Sequence, residues 1–506
     1  MGVVTLFVDD IRVTYSGLIA FAVAMISLVT GTVFVILTTR QLAPEEFGVW
    51  TIIGAMIGYI LVSHTIIAYW TTRQIARGDP VGRTSVVSSG VLLAGLVPAY
   101  LALVYVYSPV SPEFHNSLIL SIVLVPAVLL NGVLVSINLG YQPHKVSYSL
   151  LVFECAKVPF GLVLVYVLDW GLDGVILAVL GAHICQISVQ IYYLRDKLAS
   201  KFNPAYLYRW MRMSWIPLYT TAGSLVWDAG IIITPILVGS VSTAAYFGAA
   251  LAIAAVPAYT ANLSQAVYPR LLASEQRGYI SENLTKQIFF LLPLTGAIIA
   301  FAEPALFTLN PLYQGAYMAV ILLAFNSFAT SLIHTANRVL TGIEKVDVEH
   351  SPRFVAMLRS KLFLVPTLLI ISNAAYVVCL VLVMPLIADG DQMFVVMVWS
   401  AIPAAASIPA AAYLWFLARQ SVEVAIPWRR VMIYLLATLV FMGAYTVTAE
   451  HILTYSDSIF EHIWQVVQML VLCFAIYLGI TYLADRNTRH LTRSILAEIR
   501  HMAHKE

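Results

Sequence analysis

The chain has 506 residues, of which 60% are hydrophobic and only 11% charged. That is too much apolar surface for one soluble core, and it marks an all-α polytopic membrane protein. A net charge of +2 decides little, because what counts in such a protein is the side on which its charges lie. Cys155, Cys185, Cys379 and Cys473 are too scattered for a disulfide framework or a metal site and read as small core residues.

The N-terminus, MGVVTLFVDDIRVTYSG, has no basic leader region and no evident cleavage site, so the first apolar run is expected to stay as a span. In chain order the apolar runs give about 14 helices long enough to cross a bilayer. Those of the first half lie near 14–38, 49–72, 84–107, 117–139, 148–168 and 174–194. Those of the second lie near 214–237, 244–268, 287–308, 317–340, 363–387 and 393–417, and a last pair follows near 431–449 and 463–483.

Charge sets the orientation. Of the 28 Lys and Arg, all but Arg40 and Lys157 fall in the N-terminal tail, at inner span ends, in the connections after even-numbered spans, or in the C-terminal tail. The odd connections carry acids instead, among them Glu45, Glu46, Glu113, Asp169, Asp173, Asp389 and Glu461. Basic residues mark the inner side, so both termini are expected in the cytoplasm of a multi-pass plasma-membrane protein. The two longest inner segments, 195–213 and 341–362, mix basic and apolar residues as an interfacial helix would, or simply enforce topology.

The connections are short and exclude function classes. None could house a nucleotide-binding fold, and no GxxxxGK[ST] is present, so a one-chain ATP-driven pump is excluded. HExxH and GxSxG are absent, and there is no DxD-bearing soluble loop, so nothing supports catalysis and the chain reads as no enzyme. No cofactor, metal or nucleic-acid partner is expected.

A repeat is visible. Phe47-Gly48 at the start of span 2 is matched by Phe247-Gly248 in span 8, 200 residues on, and Arg73 at the inner end of span 2 by Arg270, 197 residues on. Two six-span halves that both begin inside would be parallel repeats, as in alternating-access transporters. The expected domains are an N-terminal lobe (1–194), a C-terminal lobe (195–418), an extra helix pair (419–483) and a basic tail (484–506).

The stretch Arg40-Gln41-Leu42-Ala43-Pro44-Glu45-Glu46-Phe47-Gly48 resembles the R-x-L-G-P-E-x-[FY]-G signature of oligosaccharide-lipid flippases, the polysaccharide-transport branch of the multidrug/oligosaccharidyl-lipid/polysaccharide exporter superfamily, with Ala43 in place of the usual Gly. Arg73-Gln74-Ile75-Ala76-Arg77-Gly78, Gly171-Leu172-Asp173-Gly174-Val175 and Val267-Tyr268-Pro269-Arg270-Leu271 are similar too. The resemblance covers about residues 14 to 420. It implies two six-helix lobes around a central cavity and transfer of a polyprenyl-linked sugar between leaflets. The implied partners are that lipid-linked oligosaccharide, membrane lipids, and glycosyltransferases or a polymerase of the same pathway.

Such a cargo carries an anionic phosphate that needs shielding in the membrane, so a buried cation is the first residue to examine. Lys157 lies about 13.5 Å into span 5, near the midplane. Glu154, three residues earlier, shares its helix face. Lys157 therefore either meets the phosphate or forms a local ion pair that lowers the cost of insertion. Asp228 in span 7 has no cation within a helical turn, and is expected to be protonated, to pair with Lys157, or to bind a coupling proton or sodium. Arg40 either caps the outer end of span 1 or receives the phosphate there. Asn131 and Asn138, with Asn326, Asn337, Gln186 and Gln190, either line a sugar cavity or join helices, and His64, His183 and His334 read as interhelical hydrogen-bond partners. Prolines within spans, Pro159 and Pro257 among them, are expected to kink helices.

Three rivals remain. A cation-coupled multidrug exporter of the same superfamily is kept open by Asp228, although spans 1 and 10 lack the acidic residue that branch often places there. Lipid II flippases tend to carry several cavity arginines, where these spans offer one lysine. A membrane glycosyltransferase or polymerase would need a long catalytic loop, which is absent.

Overall fold

The computed structural model describes residues 13–264, 278–343, 360–422, 426–455 and 458–489. The Val267–Leu271 motif, most of the inner segment 341–362 and the basic tail from residue 490 lie outside the described residues. Among the described residues the fold is helical, with no strand.

Among the described residues, eleven helices are long and apolar enough to cross a membrane, and two bent pairs, Pro44–Leu61 with His64–Ala76 and Ser242–Ala254 with Val256–Ser264, bring the number to 13. Helix α1 (Val13–Gln41) stands at the first expected span, so each of the fourteen spans has its helix. Span 2 is bent by 58° and span 8 by 43°.

The chain divides into two compact units, Met1–Gly248 with Val377–Gly390, and Ala249–Tyr376 with Asp391–Glu506. In the first, helices α2 (Pro44–Leu61), α3 (His64–Ala76), α4 (Gly82–Tyr107), α5 (His115–Leu120), α6 (Leu124–Tyr141), α7 (Pro143–Gly161) and α8 (Gly171–Leu198) follow α1. A short helix α9 (Pro204–Arg212) and the long α10 (Trp215–Val238) come next. The apolar core of α3, α6, α8 and α9 is built from Ile67, Ile75, Val133, Leu134, Ile137, Leu194 and Trp210.

Two of the sequence motifs meet in this unit. Pro44 opens α2 at its first turn, where a missing N–H costs nothing. The Glu46 carboxylate accepts from the Ala43 N–H at 3.0 Å and from the Leu172 N–H at 3.3 Å, so it joins the first motif to the start of α8. Ala43 lies at φ −60°, ψ 153°, ordinary extended backbone, and no glycine is needed there. Gly171 is different: its φ is +52°, and a Cβ on it would lie 2.6 Å from Glu46 Oε1. The glycines of the two Phe-Gly pairs also sit at close approaches. A Cβ on Gly48 would lie 2.1 Å from the Val241 carbonyl oxygen, and one on Gly248 would lie 2.5 Å from Thr51 Oγ1.

Among the described residues of the second unit, Ile280, Leu284, Ala336, Val339, Val365 and Leu414 form one apolar core, and Phe289, Phe301, Tyr434, Phe441, Met469 and Tyr477 form another. The second core fastens the last helix pair, Trp428–Ile452 and Ile459–Ala484, to helix Gly278–Ala300, and the Tyr477 hydroxyl donates to the Phe289 carbonyl at 2.7 Å. A buried polar seam runs through the first, with Gln287 donating to Ser331 Oγ at 2.9 Å and Thr335 to Gln287 Oε1 at 2.8 Å.

The cysteines correct the expectation of small core residues: Cys473 is buried, but Cys155 and Cys379 are exposed on helix faces. Hydropathy cannot separate the two cases, because a lipid-facing surface is as apolar as a core.

Two measurements test these contacts. Gly171→Ala should destabilise the detergent-purified protein by about 1–3 kcal/mol, whereas Gly54→Ala, with open space around the new methyl, should be neutral or stabilise by up to about 1 kcal/mol. An unchanged unfolding midpoint for Gly171→Ala would overturn the close approach of Gly171 to Glu46. The other concerns Asp485, just past the last helix, which accepts from the Tyr434 hydroxyl at 2.7 Å and lies 3.6 Å from Arg430. Burial works to raise this carboxyl, but the donors Tyr434, Asn487 N–H and Thr488, with Arg430, outweigh it and hold it below the ordinary aspartate value. A depressed carboxylate stabilises above its unfolded pKa of about 3.9, and that stabilisation is lost as pH falls through the folded value. Asp485→Asn should therefore lower the melting midpoint at neutral pH, and the gap to wild type should close below about pH 4.

Candidate substrate-binding site

Helices α1 and α7 pack side by side. Gly161 allows it, since a Cβ there would lie 2.9 Å from Phe34 Cε2 and 3.0 Å from Leu37 Cδ2. Seven residues earlier on both helices, Ser27 Oγ and Thr30 Oγ1 of α1 each donate at 2.7 Å to the Glu154 carboxylate of α7. The contacts advance in the same sense along both helices, so the two run parallel, as two odd-numbered spans must.

Lys157 completes the group. Its Nζ lies 2.7 Å from Glu154 Oε2, and the two side chains are 11% and 6% exposed. The ammonium is also within 5.5 Å of the centre of the Phe34 ring and 5.2 Å of Phe153. Phe153 in turn packs on His183 of α8, with ring centres 4.6 Å apart. Of the two expectations for Lys157, the structure forms the local ion pair. The charge is buried, paired and flanked by aromatic faces, the arrangement that makes a membrane cation tolerable. Two residues on, Pro159 has no N–H to give the Cys155 carbonyl, and the helix then widens into π turns at Leu162–Val167.

A polar tract continues along α6, α7 and α8. Gln190 Nε2 donates to Asn131 Oδ1 at 2.8 Å and lies 3.2 Å from Ser149 Oγ, so Asn131 joins helices. Asn138, two turns along α6, is fully buried, and neither polar atom of its side chain has a partner among the described residues. His183 and Gln186 are buried on the same face of α8 as Gln190. His64 packs against the backbone of α6 at Gly132, where a Cβ would lie 2.7 Å from the imidazole.

The other candidates stand apart. Arg40 is in the last turn of α1 and half-buried, where a cation complements the helix dipole. Asp228 of α10 lies over Gly58 of α2, its Oδ2 3.3 Å from where a Cβ would be. Among the described residues it makes no ion pair or hydrogen bond, and the expected pairing with Lys157 is not formed. Ser27, Thr30 and Ser149 escaped sequence reasoning. The one available signal was that Ser27 and Thr30 fall three apart on one face of span 1.

The fold is shared with transporters of known structure. It is similar to a structure of the lipid II flippase MurJ in an inward closed conformation, at a TM-score of 0.63 and 12% identity over 92% of this chain and 99% of that one. An inward-facing multidrug resistance MATE family transporter of the MOP superfamily matches at 0.60 and 15% identity, over 80% and 98% of the two chains. A MATE in the straight conformation matches at 0.53 and 15%, over 80% and 96%. No family model matches the sequence, and no curated protein matches it. The fold expected from the sequence is thus the fold observed.

The ion pair is tested by a double-mutant cycle. Glu154→Gln leaves a buried ammonium without its counter-charge and should cost about 3–5 kcal/mol, most of which Glu154→Gln/Lys157→Met should recover. Equal stability losses for the single and the double variant would overturn the pairing.

Proposed function

We propose that this chain is a flippase that moves a polyprenyl-(di)phosphate-linked oligosaccharide from the cytoplasmic to the outer leaflet by alternating access, for surface polysaccharide or glycoprotein glycan assembly. The observation that carries this reading is the shared carboxylate of Glu154. Because Ser27 and Thr30 already donate to it, Lys157 can leave Glu154 for a lipid phosphate without abandoning a bare carboxylate in an apolar setting. An ammonium able to change partners suits a cargo whose phosphate must be held and then released. The lipid tail stays in the bilayer, Asn138 offers its amide to the sugar, and Arg40 receives the phosphate at the outer side. An anionic phosphate moving outward is driven by an inside-negative potential and gains about 2.3 kcal/mol per charge per 100 mV, so the potential alone biases export. One structural neighbour, MurJ, is a lipid II flippase, and that likeness supports a lipid-linked cargo.

A second reading is favoured by a specific residue. Asp228, without an ion-pair partner among the described residues, suits a proton- or sodium-coupled multidrug exporter, and multidrug resistance transporters of the MATE family are among the structural neighbours. The two readings part in one assay, with the protein in vesicles scored for flipping of a defined lipid-linked sugar and for drug efflux. Lys157→Gln should insert normally and slow flipping at least about tenfold, while Asp228→Asn leaves flipping within about threefold of wild type. Full flipping by Lys157→Gln would reject the phosphate role. Drug efflux abolished by Asp228→Asn would select the exporter instead.

A further inference from the structure

We propose that the α8–α10 connection, residues 201–215, is a docking surface for the head groups of anionic phospholipids. Helix α9 is held to the first unit from one side. Trp210 is fully buried, its indole N–H donates to Gln74 Oε1 at 3.2 Å, and the Tyr206 ring packs near it with centres 6.4 Å apart. The ends of the approach are pinned as well, since the Arg83 N–H donates to Ser200 Oγ and the Asn203 N–H to Thr84 Oγ1.

The opposite face is open. Tyr208 is 72% exposed, and Phe202, Met211, Met213 and Trp215 are exposed beside it. Tyr208, Met211 and Arg212 share a helical face by their spacing. Lys201, Arg209 and Arg212 are exposed too, and none makes an ion pair among the described residues. The neighbouring cations are differently placed, Arg195 over the Tyr192 ring and beside Asp196, and Lys197 over the Tyr141 ring. Three unpaired cations interleaved with exposed aromatic and thioether side chains, on a helix clamped by a tryptophan, match a head-group and acyl-boundary layer with negative charge. Enforcing topology requires only the cations. It does not require large apolar side chains exposed among them.

The test uses the full-length protein in neutral detergent, titrated with phosphatidylglycerol, phosphatidylcholine or inorganic phosphate. Retained lipid is counted by native mass spectrometry, and stability is followed by thermal melting. Phosphatidylglycerol should bind and raise the melting midpoint, while phosphatidylcholine and inorganic phosphate should not. Lys201→Gln/Arg209→Gln/Arg212→Gln should weaken phosphatidylglycerol binding at least about tenfold with an unchanged lipid-free midpoint. Tyr208→Ala keeps every charge and should still weaken binding severalfold, which long-range attraction alone does not explain. If the triple variant does not fold, Arg209→Gln and Arg212→Gln are read singly, each with a loss of a few-fold. Equal retention of phosphatidylcholine, or wild-type retention of phosphatidylglycerol by the charge variants, would overturn the proposal. Flipping activity is not the readout, so the result stands apart from the transport reading.

Discussion

One carboxylate organises the first unit. A lysine near the middle of an apolar helix is tolerable only if its charge is answered on the spot, and Glu154 answers it from three residues earlier on α7. An isolated pair of this kind would still leave lone pairs unsatisfied in a medium without water. Ser27 and Thr30 supply the missing donors from α1 and thereby fix the register of the two helices. The glycine at position 161 brings the helices close enough for those short hydroxyl side chains to reach.

The same economy recurs in the rest of the molecule. Buried amides and hydroxyls are arranged so that one helix completes the hydrogen bonds of another: Gln190 with Asn131, Gln287 with Ser331 and Thr335, Tyr477 with the Phe289 carbonyl. Each such bond contributes modestly in a membrane protein, where the unfolded alternative also finds partners. Their larger effect is on specificity, because a helix rotated by one residue would strand both groups. Asn138 departs from the pattern, as do the buried hydroxyls of Ser88, Tyr107 and Ser400, none of them with a partner among the described residues.

The sequence made the helices legible because span length and hydropathy are one-dimensional properties. The fourteen spans could be drawn from them, and the 3.6-residue period was enough to put Glu154 and Lys157 on one face. The choice between a substrate-facing and a self-paired lysine was not legible, since it depends on which neighbouring helix brings hydroxyls, and Ser and Thr are ordinary in apolar spans. The bend in span 8 had a visible cause in Pro257, whereas the sharper bend at Val62–Ser63 in span 2 has no proline to announce it. Asn131 and Gln190 could each be named as polar candidates, but their pairing needs the crossing of α6 and α8. The exposed cysteines were misjudged for a related reason: composition cannot tell a wall that faces lipid from one that faces protein.

The reciprocal notches at Gly48 and Gly248 carry a consequence for how such a chain can change over generations. Each of the two glycines presents bare backbone that a neighbour leans on, the Val241 carbonyl at Gly48 and the Thr51 side chain at Gly248. The two glycines are therefore not free to change independently of those neighbours. A substitution in one notch would demand an answering change at Val241 or Thr51.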